Sequence, residues 1–297
     1  MKKSTGFLQL MRPANCVTAV ADVLAGVAIS GYLSDSNLFT FAFFKPILLL
    51  CVATIGLYGG GVVFNDVFDA ELDAVERPER PIPSGHIKKI EAKILGIFLL
   101  SLGCITALMV SFTAAYIAVL IVASSLVYDK WGKHQNFIGP INMGLCRGLN
   151  LLLGISILPA MVLPYRGLAL VPIIYIAAIT MISRGEVHGG KKTTLYFAAF
   201  LYSMVIGCIL YFAWLQATLL FTIAFIVAFG IMIFQPLVKA IKEPVGRNIG
   251  KAVKAGVLAL ILMNAAWAAA FGQLYLALFI VLLLPLSVKL GKYFAVT

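Results

Sequence analysis

The sequence predicts an all-α protein, a multi-pass transmembrane helix bundle. Its 297 residues are 62% hydrophobic and only 12% charged, whereas soluble domains carry about 25% charged residues. The mean hydropathy is +1.01. Long apolar runs recur along the whole chain, and several approach the roughly 20 residues that cross a bilayer as a helix. These observations exclude a soluble globular domain.

Ten apolar runs follow one another along the chain. The third and fourth runs are separated by almost nothing, and so are the ninth and tenth, so each pair predicts a tight helical hairpin. The runs lie near residues 14–33, 43–64, 92–111, 114–129, 137–159, 167–183, 195–213, 216–236, 252–270 and 273–290.

Basic residues are distributed asymmetrically around these runs. They precede the first run, follow the tenth and fill alternate connections, whereas the opposite side holds only Lys45 and Arg166. Such asymmetry is typical of cytoplasmic segments. We therefore expect one transmembrane domain over residues 1–297 in the inner (cytoplasmic) membrane, with both termini cytoplasmic. The net charge of +11 is thereby accounted for, and no nucleic-acid partner is expected.

Six of the 12 acidic residues lie between Asp66 and Glu79, directly after the second run. If residues 65–73 form a helix, at about 100° per residue, three carboxylates and one carboxamide share an arc of roughly 100°. Glu71 faces the opposite side, at about 240°. Clustered oxygen ligands suit Mg²⁺, which is usually completed by substrate phosphate. The alternative is a solvated acidic turn. The residues on the arc are Asn65, Asp66, Asp69 and Asp73.

Basic residues share the predicted cytoplasmic face with the acidic stretch. The positive-inside rule accounts for each of them singly, but as a set they could also neutralise a diphosphate. Acids for Mg²⁺ and bases for phosphate, placed beneath an apolar bundle, predict a ligand with a diphosphate head and a long hydrocarbon tail. The basic residues are Lys130, Lys133, Arg184, Lys191 and Lys192.

The acidic stretch resembles a known motif. Asn65-Asp66-x-x-Asp69-x-x-x-Asp73 is similar to the first aspartate-rich motif of the UbiA superfamily of intramembrane prenyltransferases. The following Arg77…Arg80-Pro81-Ile82-Pro83-Ser84-Gly85 resembles the arginine- and proline-rich tail of that motif. Tyr128 with Lys133 resembles the family's tyrosine and basic segment, which helps to hold the diphosphate. The motif covers residues 64–85, and the topology covers most of the chain.

The resemblance implies a nine-helix UbiA-type core, here with a tenth, C-terminal helix. It also implies Mg²⁺ as the cofactor, a prenyl diphosphate and a prenyl acceptor as partners, and a site within the lipid bilayer. The implied catalytic residues are Asp66, Asp69 and Asp73, which with Asn65 would bind the metal. The candidates for binding diphosphate are Arg77, Arg80, Tyr128, Lys133, Arg147, Arg184, Lys191 and Lys192.

The sequence departs from the family pattern after the sixth run. The family has a second aspartate-rich motif there, but residues 183–192 contain only one acid, Glu186. Glu186 could replace part of that site, a lysine of this loop could replace the charge of a second metal, or the loop could be structural. His188 is a further candidate for the second site. The loop resembles a UbiA-like subgroup labelled EboC.

Two ionisable residues lie within apolar runs. Asp22 is in the first run, where a charge is costly and often functional, although a protonated, hydrogen-bonded carboxyl is the alternative. Arg147 is in the fifth run and is expected to face the bundle interior. There it is a candidate contact for the diphosphate or for the acceptor.

The sequence therefore predicts a Mg²⁺-dependent intramembrane prenyltransferase. It would move a prenyl group from a prenyl diphosphate to an unidentified aromatic or polar cyclic acceptor and release pyrophosphate. Two alternatives remain open. One is a membrane terpene cyclase of the UbiA type, which needs no acceptor. The other is a non-catalytic carrier or transporter of prenyl lipids, which the incomplete second motif would allow.

Overall fold

The computed structural model describes residues 3–35, 40–132, 138–186 and 189–294. The chain folds into α-helices joined by short connections, with 3₁₀ turns at Tyr32–Asp35 and Arg166–Ala169. The helices are α1 (Lys3–Met11), α2 (Pro13–Ser30), α3 (Phe41–Phe68), α4 (Ala70–Glu76), α5 (Lys89–Leu108), α6 (Phe112–Lys130), α7 (Ile138–Ile155), α8 (Pro159–Tyr165), α9 (Leu170–Ser183), α10 (Lys192–Leu215), α11 (Leu219–Lys242), α12 (Gly246–Ala270) and α13 (Leu274–Tyr293).

Nine helical segments within the described residues are long and apolar enough to cross a membrane. They are α2, α3, α5, α6, α8 continued through α9, and α10 to α13. The predicted all-α transmembrane bundle is thus confirmed, and the chain is an integral, multi-pass membrane protein. The predicted run 137–159 corresponds to α7, which packs against α2, α6 and α9.

Both predicted hairpins are present. Three residues separate α5 from α6, and three separate α12 from α13. The Ser111 side chain accepts a hydrogen bond from the backbone nitrogen of Ala114 at 3.0 Å and so caps the start of α6. Gly272 takes a positive φ of 77° between α12 and α13, a conformation that glycine adopts without strain.

Helices α2 and α12 form the centre of the bundle. In each of them 83% of the residues in an apolar segment of 18 residues are buried, compared with 17% in α13. Helix α2 packs against α3, α7, α12 and α13. The other spans present much apolar surface outward, as lipid-facing helices do. The centre of the bundle therefore consists of two helices that meet lipid over little of their surface.

Close contact between α2 and α7 depends on two glycines. A Cβ on Gly26 would collide with the backbone carbonyl of Leu151, and a Cβ on Gly154 would collide with the carbonyl of Val23. Small residues allow such close approach between membrane helices. The crossing brings the polar residues in the middle of α7 next to α2.

The acidic stretch lies at one end of the bundle, which we call the acidic end. The predicted continuous helix over residues 65–73 is interrupted, because α3 ends at Phe68 and α4 begins at Ala70, with Asp69 between them. The hydrogen bonds nevertheless continue, from the Asp69 nitrogen to the Asn65 oxygen and from the Asp73 nitrogen to the Asp69 oxygen. The interruption is therefore a bend at Asp69, not a separation of two helices.

Helix α1 packs against this end of α3. Leu10 is fully buried with Val63 and Val67, and the Lys3 ammonium contacts the Glu91 carboxylate at 2.7 Å. Arg12, between α1 and α2, has a positive φ of 46°, which is uncommon for a residue with a side chain. This conformation joins α1 to α2 at the acidic end.

We predict that Gly154→Ala destabilises the bundle by about 2 kcal/mol, because the added methyl group meets backbone that cannot move aside. Gly207→Ala is the matched control, since a Cβ at Gly207 on α10 meets nothing within 4 Å. Thermal unfolding in detergent measures both. Equal unfolding midpoints for the two variants would contradict the close α2–α7 contact.

Candidate functional site

A cavity of about 370 Å³ opens among six of the helices. Its walls come from α2, α3, α6, α7, α9 and α12, and most of its lining side chains are apolar. Polar and charged side chains line it at the acidic end and at its depth, between apolar stretches such as Leu57 and Ile179. A ligand with a charged head and an apolar body matches this distribution.

Buried ion pairs occupy the acidic end. The Asp66 Oδ1 atom contacts Arg12 Nη2 at 2.9 Å and Arg80 Nη1 at 3.3 Å. The Asp73 Oδ2 atom contacts the same Arg80 Nη1 at 2.7 Å. Both aspartates are 5% exposed. Two carboxylates thus converge on one positively charged group, which also shows that Arg80 lies among the acids that precede it in the sequence.

This donor set fits Mg²⁺. Carboxylate and carboxamide oxygens are ligands of the kind Mg²⁺ prefers, and Asp66 and Asp73 already converge on a cation, the Arg80 guanidinium. Within the described part of the chain, no group of three His, Cys, Asp or Glu residues could hold a metal ion alone. A Mg²⁺ ion here would therefore take further ligands from water or phosphate, as this ion usually does.

The structure brings two acids of the predicted arc together, since Asp66 and Asp73 share Arg80. Asn65 lines the cavity, Asp66 and Asp73 are buried, and Asp69 lies between them at the bend. Glu71 points away, with a side chain that is 95% exposed and 3.7 Å from Lys89. The Asn65 Nδ2 group donates a hydrogen bond to Asp129 Oδ1 at 2.9 Å.

A second cluster of polar side chains lies deeper in the cavity. Arg147 lines the wall and is 6% exposed. Its Nη1 contacts Asp22 Oδ2 at 2.8 Å, its Nη2 donates to Thr18 Oγ1 at 2.8 Å, and its guanidinium lies 4.8 Å from the centre of the Tyr58 ring. Asp22 is thus an ion-paired carboxylate, and Arg147 faces the bundle interior as predicted.

Two asparagines connect this cluster of polar side chains to further helices. Asn264 of α12 donates to Asp22 Oδ1 at 2.7 Å, and Asn150 of α7 donates to Asp22 Oδ2 at 3.2 Å. Asn150 in turn accepts a hydrogen bond from Thr54 of α3 at 2.7 Å. We call Asp22, Arg147, Asn150, Asn264, Thr18 and Thr54 the central network. Through it α2, α3, α7 and α12 are joined by polar contacts away from water.

Two more predicted site residues lie at the cavity. Tyr128 lines it, and its hydroxyl lies 3.9 Å from Met143 Sδ. Glu186 lies at its rim, where its Oε1 atom faces Gly250. Burial raises the pKa of the Glu186 carboxyl above its ordinary value, and the positive charge of Arg77 offsets part of this rise.

The remaining predicted basic residues are not brought into the cavity. Arg184, Lys191 and Lys192 are exposed and do not contribute to its lining. Lys133 and His188 lie outside the described residues. Of the predicted diphosphate contacts, Tyr128 and Arg147 line the cavity. Arg80 is held by Asp66 and Asp73, and Arg77 is exposed.

Asp129 and Arg12 are not among the site residues that the sequence predicts. Asp129 lines the cavity and is 4% exposed; its signal was an acid at the end of an apolar run, adjacent to Tyr128. Arg12 lines the cavity and pairs with Asp66. Its sequence gave less indication of a site role, because Arg12 and Asp66 are 54 positions apart.

Comparisons with known proteins find a matching family and similar sequences. The model of the UbiA prenyltransferase family matches residues 22–252. A digeranylgeranylglyceryl phosphate synthase of Methanothrix thermoacetophila is 37% identical over 147 residues, which are 50% of this chain and 52% of the relative. The chain thus spans about half the length of the curated relatives it matches. The narrower EboC-like subgroup is not confirmed.

Solved structures share the fold. A chain described as a digeranylgeranylglyceryl phosphate synthase in membranes is 26% identical, with a TM-score of 0.67, and the match covers 91% of this chain and 99% of the other. A UbiA homolog from Archaeoglobus fulgidus, bound to GPP and Mg²⁺, is 15% identical, with a TM-score of 0.62 and coverage of 86% and 99%. The second likeness is one of fold alone.

We predict that Asp22→Asn destabilises the protein by about 3 kcal/mol, because Arg147 is left as a buried charge without its counter-ion. The double variant Asp22→Asn/Arg147→Gln should lose less than the sum of the two single losses, since the partners act on each other. Thermal unfolding in detergent measures each variant.

The control for this prediction is Glu91→Gln, which removes an ion pair whose side chains are 64% and 28% exposed. Its expected effect on the unfolding midpoint is small, because solvent screens exposed ion pairs. If Asp22→Asn destabilises the protein no more than Glu91→Gln does, the central network does not stabilise the bundle.

Proposed function

Because the chain belongs to the UbiA prenyltransferase family, we propose that it is a Mg²⁺-dependent intramembrane prenyltransferase. It transfers a prenyl group from a prenyl diphosphate to an acceptor and releases pyrophosphate. The observation that carries the proposal is the pair of buried aspartates, Asp66 and Asp73, that share Arg80. Arg12, which pairs with Asp66, lines the apolar cavity itself. This arrangement matches a diphosphate head joined to a hydrocarbon chain.

The acidic end is proposed to bind the diphosphate. Asn65, Asp66, Asp69 and Asp73 would hold Mg²⁺, which when bound stabilises negative charge on the phosphate oxygens. Arg12 and Arg80 supply positive charge within the same group of contacts, and guanidinium groups suit phosphate oxygens. These residues therefore bind and orient the leaving group.

The reaction breaks the bond between the first prenyl carbon and the diphosphate oxygen. The electron pair leaves with pyrophosphate, and the prenyl carbon then bonds to the acceptor atom, which loses its proton. The apolar walls, including Leu57, Ile121 and Ile179, surround the hydrocarbon and exclude water. Water exclusion protects a reactive allylic carbon from hydrolysis.

The acceptor is proposed to carry a polar group. Arg147 and Asn150 line the cavity together with Thr54, so this part of its wall is polar although these side chains are already hydrogen-bonded within the central network. Because Asp22 compensates the charge of Arg147, this part of the cavity suits hydroxyl groups. Relatives named digeranylgeranylglyceryl phosphate synthase support an acceptor of the glyceryl phosphate class.

The acidic end is proposed to face the cytoplasm, in the cytoplasmic membrane. Basic residues are concentrated at the helix ends there, for example Lys130 at the end of α6 and Lys242 at the end of α11. Positive residues favour the cytoplasmic side. Both termini would then be cytoplasmic, and prenyl diphosphate would reach the site at the bilayer surface.

We predict that purified protein in nanodiscs releases pyrophosphate from prenyl diphosphates when Mg²⁺ and a lipid extract of the source cells are both present. Replacing a group that only supports a metal ligand typically costs about 10- to 100-fold. Asp69→Asn should lower the rate by more than this, because it changes a proposed ligand itself. Glu71→Gln is the matched control, because it makes the same change on a side chain that is 95% exposed.

Three experimental outcomes would contradict the proposal. Pyrophosphate release that needs no extract would indicate a terpene cyclase. Stoichiometric binding of prenyl lipid without any turnover would indicate a carrier. Full activity of Asp69→Asn would show that the aspartate-rich stretch is not the metal site.

A further inference from the structure

Asp129 occupies an unfavourable position for an acid. It lies in the last turn of α6, which ends at Lys130, and a carboxylate there faces the negative end of the helix dipole. It is also 4% exposed, so its charge is largely removed from water, which is costly. A carboxylate at such a place needs a compensating contact. Asp129 lies on the cavity wall, which Asn65 also lines.

One such contact is to the first residue of the aspartate-rich stretch. Asn65 Nδ2 donates to Asp129 Oδ1 at 2.9 Å, across 64 positions of sequence. A carboxylate accepts hydrogen bonds but does not donate them. The amide of Asn65 must therefore turn its nitrogen toward α6, and its carbonyl oxygen is left on the other side of the amide group.

We propose that Asp129 is a positioning residue for the metal site: it orients the Asn65 amide so that its carbonyl oxygen serves as a ligand. The inference rests on the proposed Mg²⁺-dependent binding of diphosphate. Without the carboxylate, the amide can rotate by half a turn and present its nitrogen, which cannot bind a cation. Partners that orient ligands in this way typically change metal affinity by about 10- to 100-fold.

An exchange of the two side chains tests this role. Asp129→Asn replaces a carboxylate that only accepts hydrogen bonds by an amide that can also donate them. Asn65 is then no longer held in one orientation, and Mg²⁺ binding should weaken about 10-fold. The double variant Asn65→Asp/Asp129→Asn restores one donor, one acceptor and the same net charge. An aspartate at position 65 presents an oxygen in either orientation, so the double variant should return to within about threefold of wild type.

The measurement is a Mg²⁺ titration of the binding of geranyl S-thiolodiphosphate, a non-reactive prenyl diphosphate, to the full chain in nanodiscs. Calorimetry gives the Mg²⁺ affinity without turnover, and thermal unfolding verifies that each variant is folded. Glu71→Gln is the control for loss of one acidic charge near the site, since its side chain is exposed and does not contact Asn65.

The outcomes separate this inference from the proposed function. If wild type shows no Mg²⁺-dependent binding of the probe, the proposed function itself fails. If wild type binds and Asp129→Asn has the same Mg²⁺ affinity, the positioning role is wrong. A double variant as weak as Asp129→Asn would also overturn it, because loss of orientation would then not be the cause. Weaker Mg²⁺ binding in Asp129→Asn together with restored binding in the double variant supports it.

Discussion

The ion pair between Arg147 and Asp22 is the contact on which the rest of the bundle depends. Both residues are nearly inaccessible, and neither charge would be stable at this depth in a membrane without the other. Asn150 and Asn264 complete the coordination of the Asp22 carboxylate. Since these residues belong to α2, α7 and α12, the pair fixes the central helices relative to one another, and the glycine contacts between α2 and α7 make that approach possible.

The same helices carry the chemistry at the acidic end. Arg12 immediately precedes α2 and binds Asp66 near the end of α3, while Thr54 of α3 bonds to Asn150. The central network therefore sets the distance between the walls of the cavity, and the charged contacts close one of its ends. A rigid frame of this kind suits a reaction in which binding, orientation and exclusion of water are the main contributions of the protein.

Much of this organisation could be predicted from the sequence, because it follows from local patterns. Apolar runs located the membrane helices, and helical periodicity predicted that Glu71 would point away from the neighbouring acids. The cross-chain contacts could not be predicted. The pairing of Arg12 with Asp66 and of Asn65 with Asp129 joins residues 54 and 64 positions apart, and no linear pattern reports such pairs. Charge alone also grouped Lys191 and Lys192 with the site, although the structure leaves both exposed outside the cavity.

The central claim is that the carboxylates of the acidic end hold a metal–diphosphate head while the cavity holds the prenyl chain. An experimental structure with Mn²⁺ and geranyl S-thiolodiphosphate tests it most directly, since Mn²⁺ accepts the same oxygen ligands as Mg²⁺ and is located by anomalous scattering. The account predicts Mn²⁺ in direct contact with Asp66 or Asp73 and the geranyl chain between α3, α6 and α9. Binding of the metal and the diphosphate at any other part of the chain would contradict it.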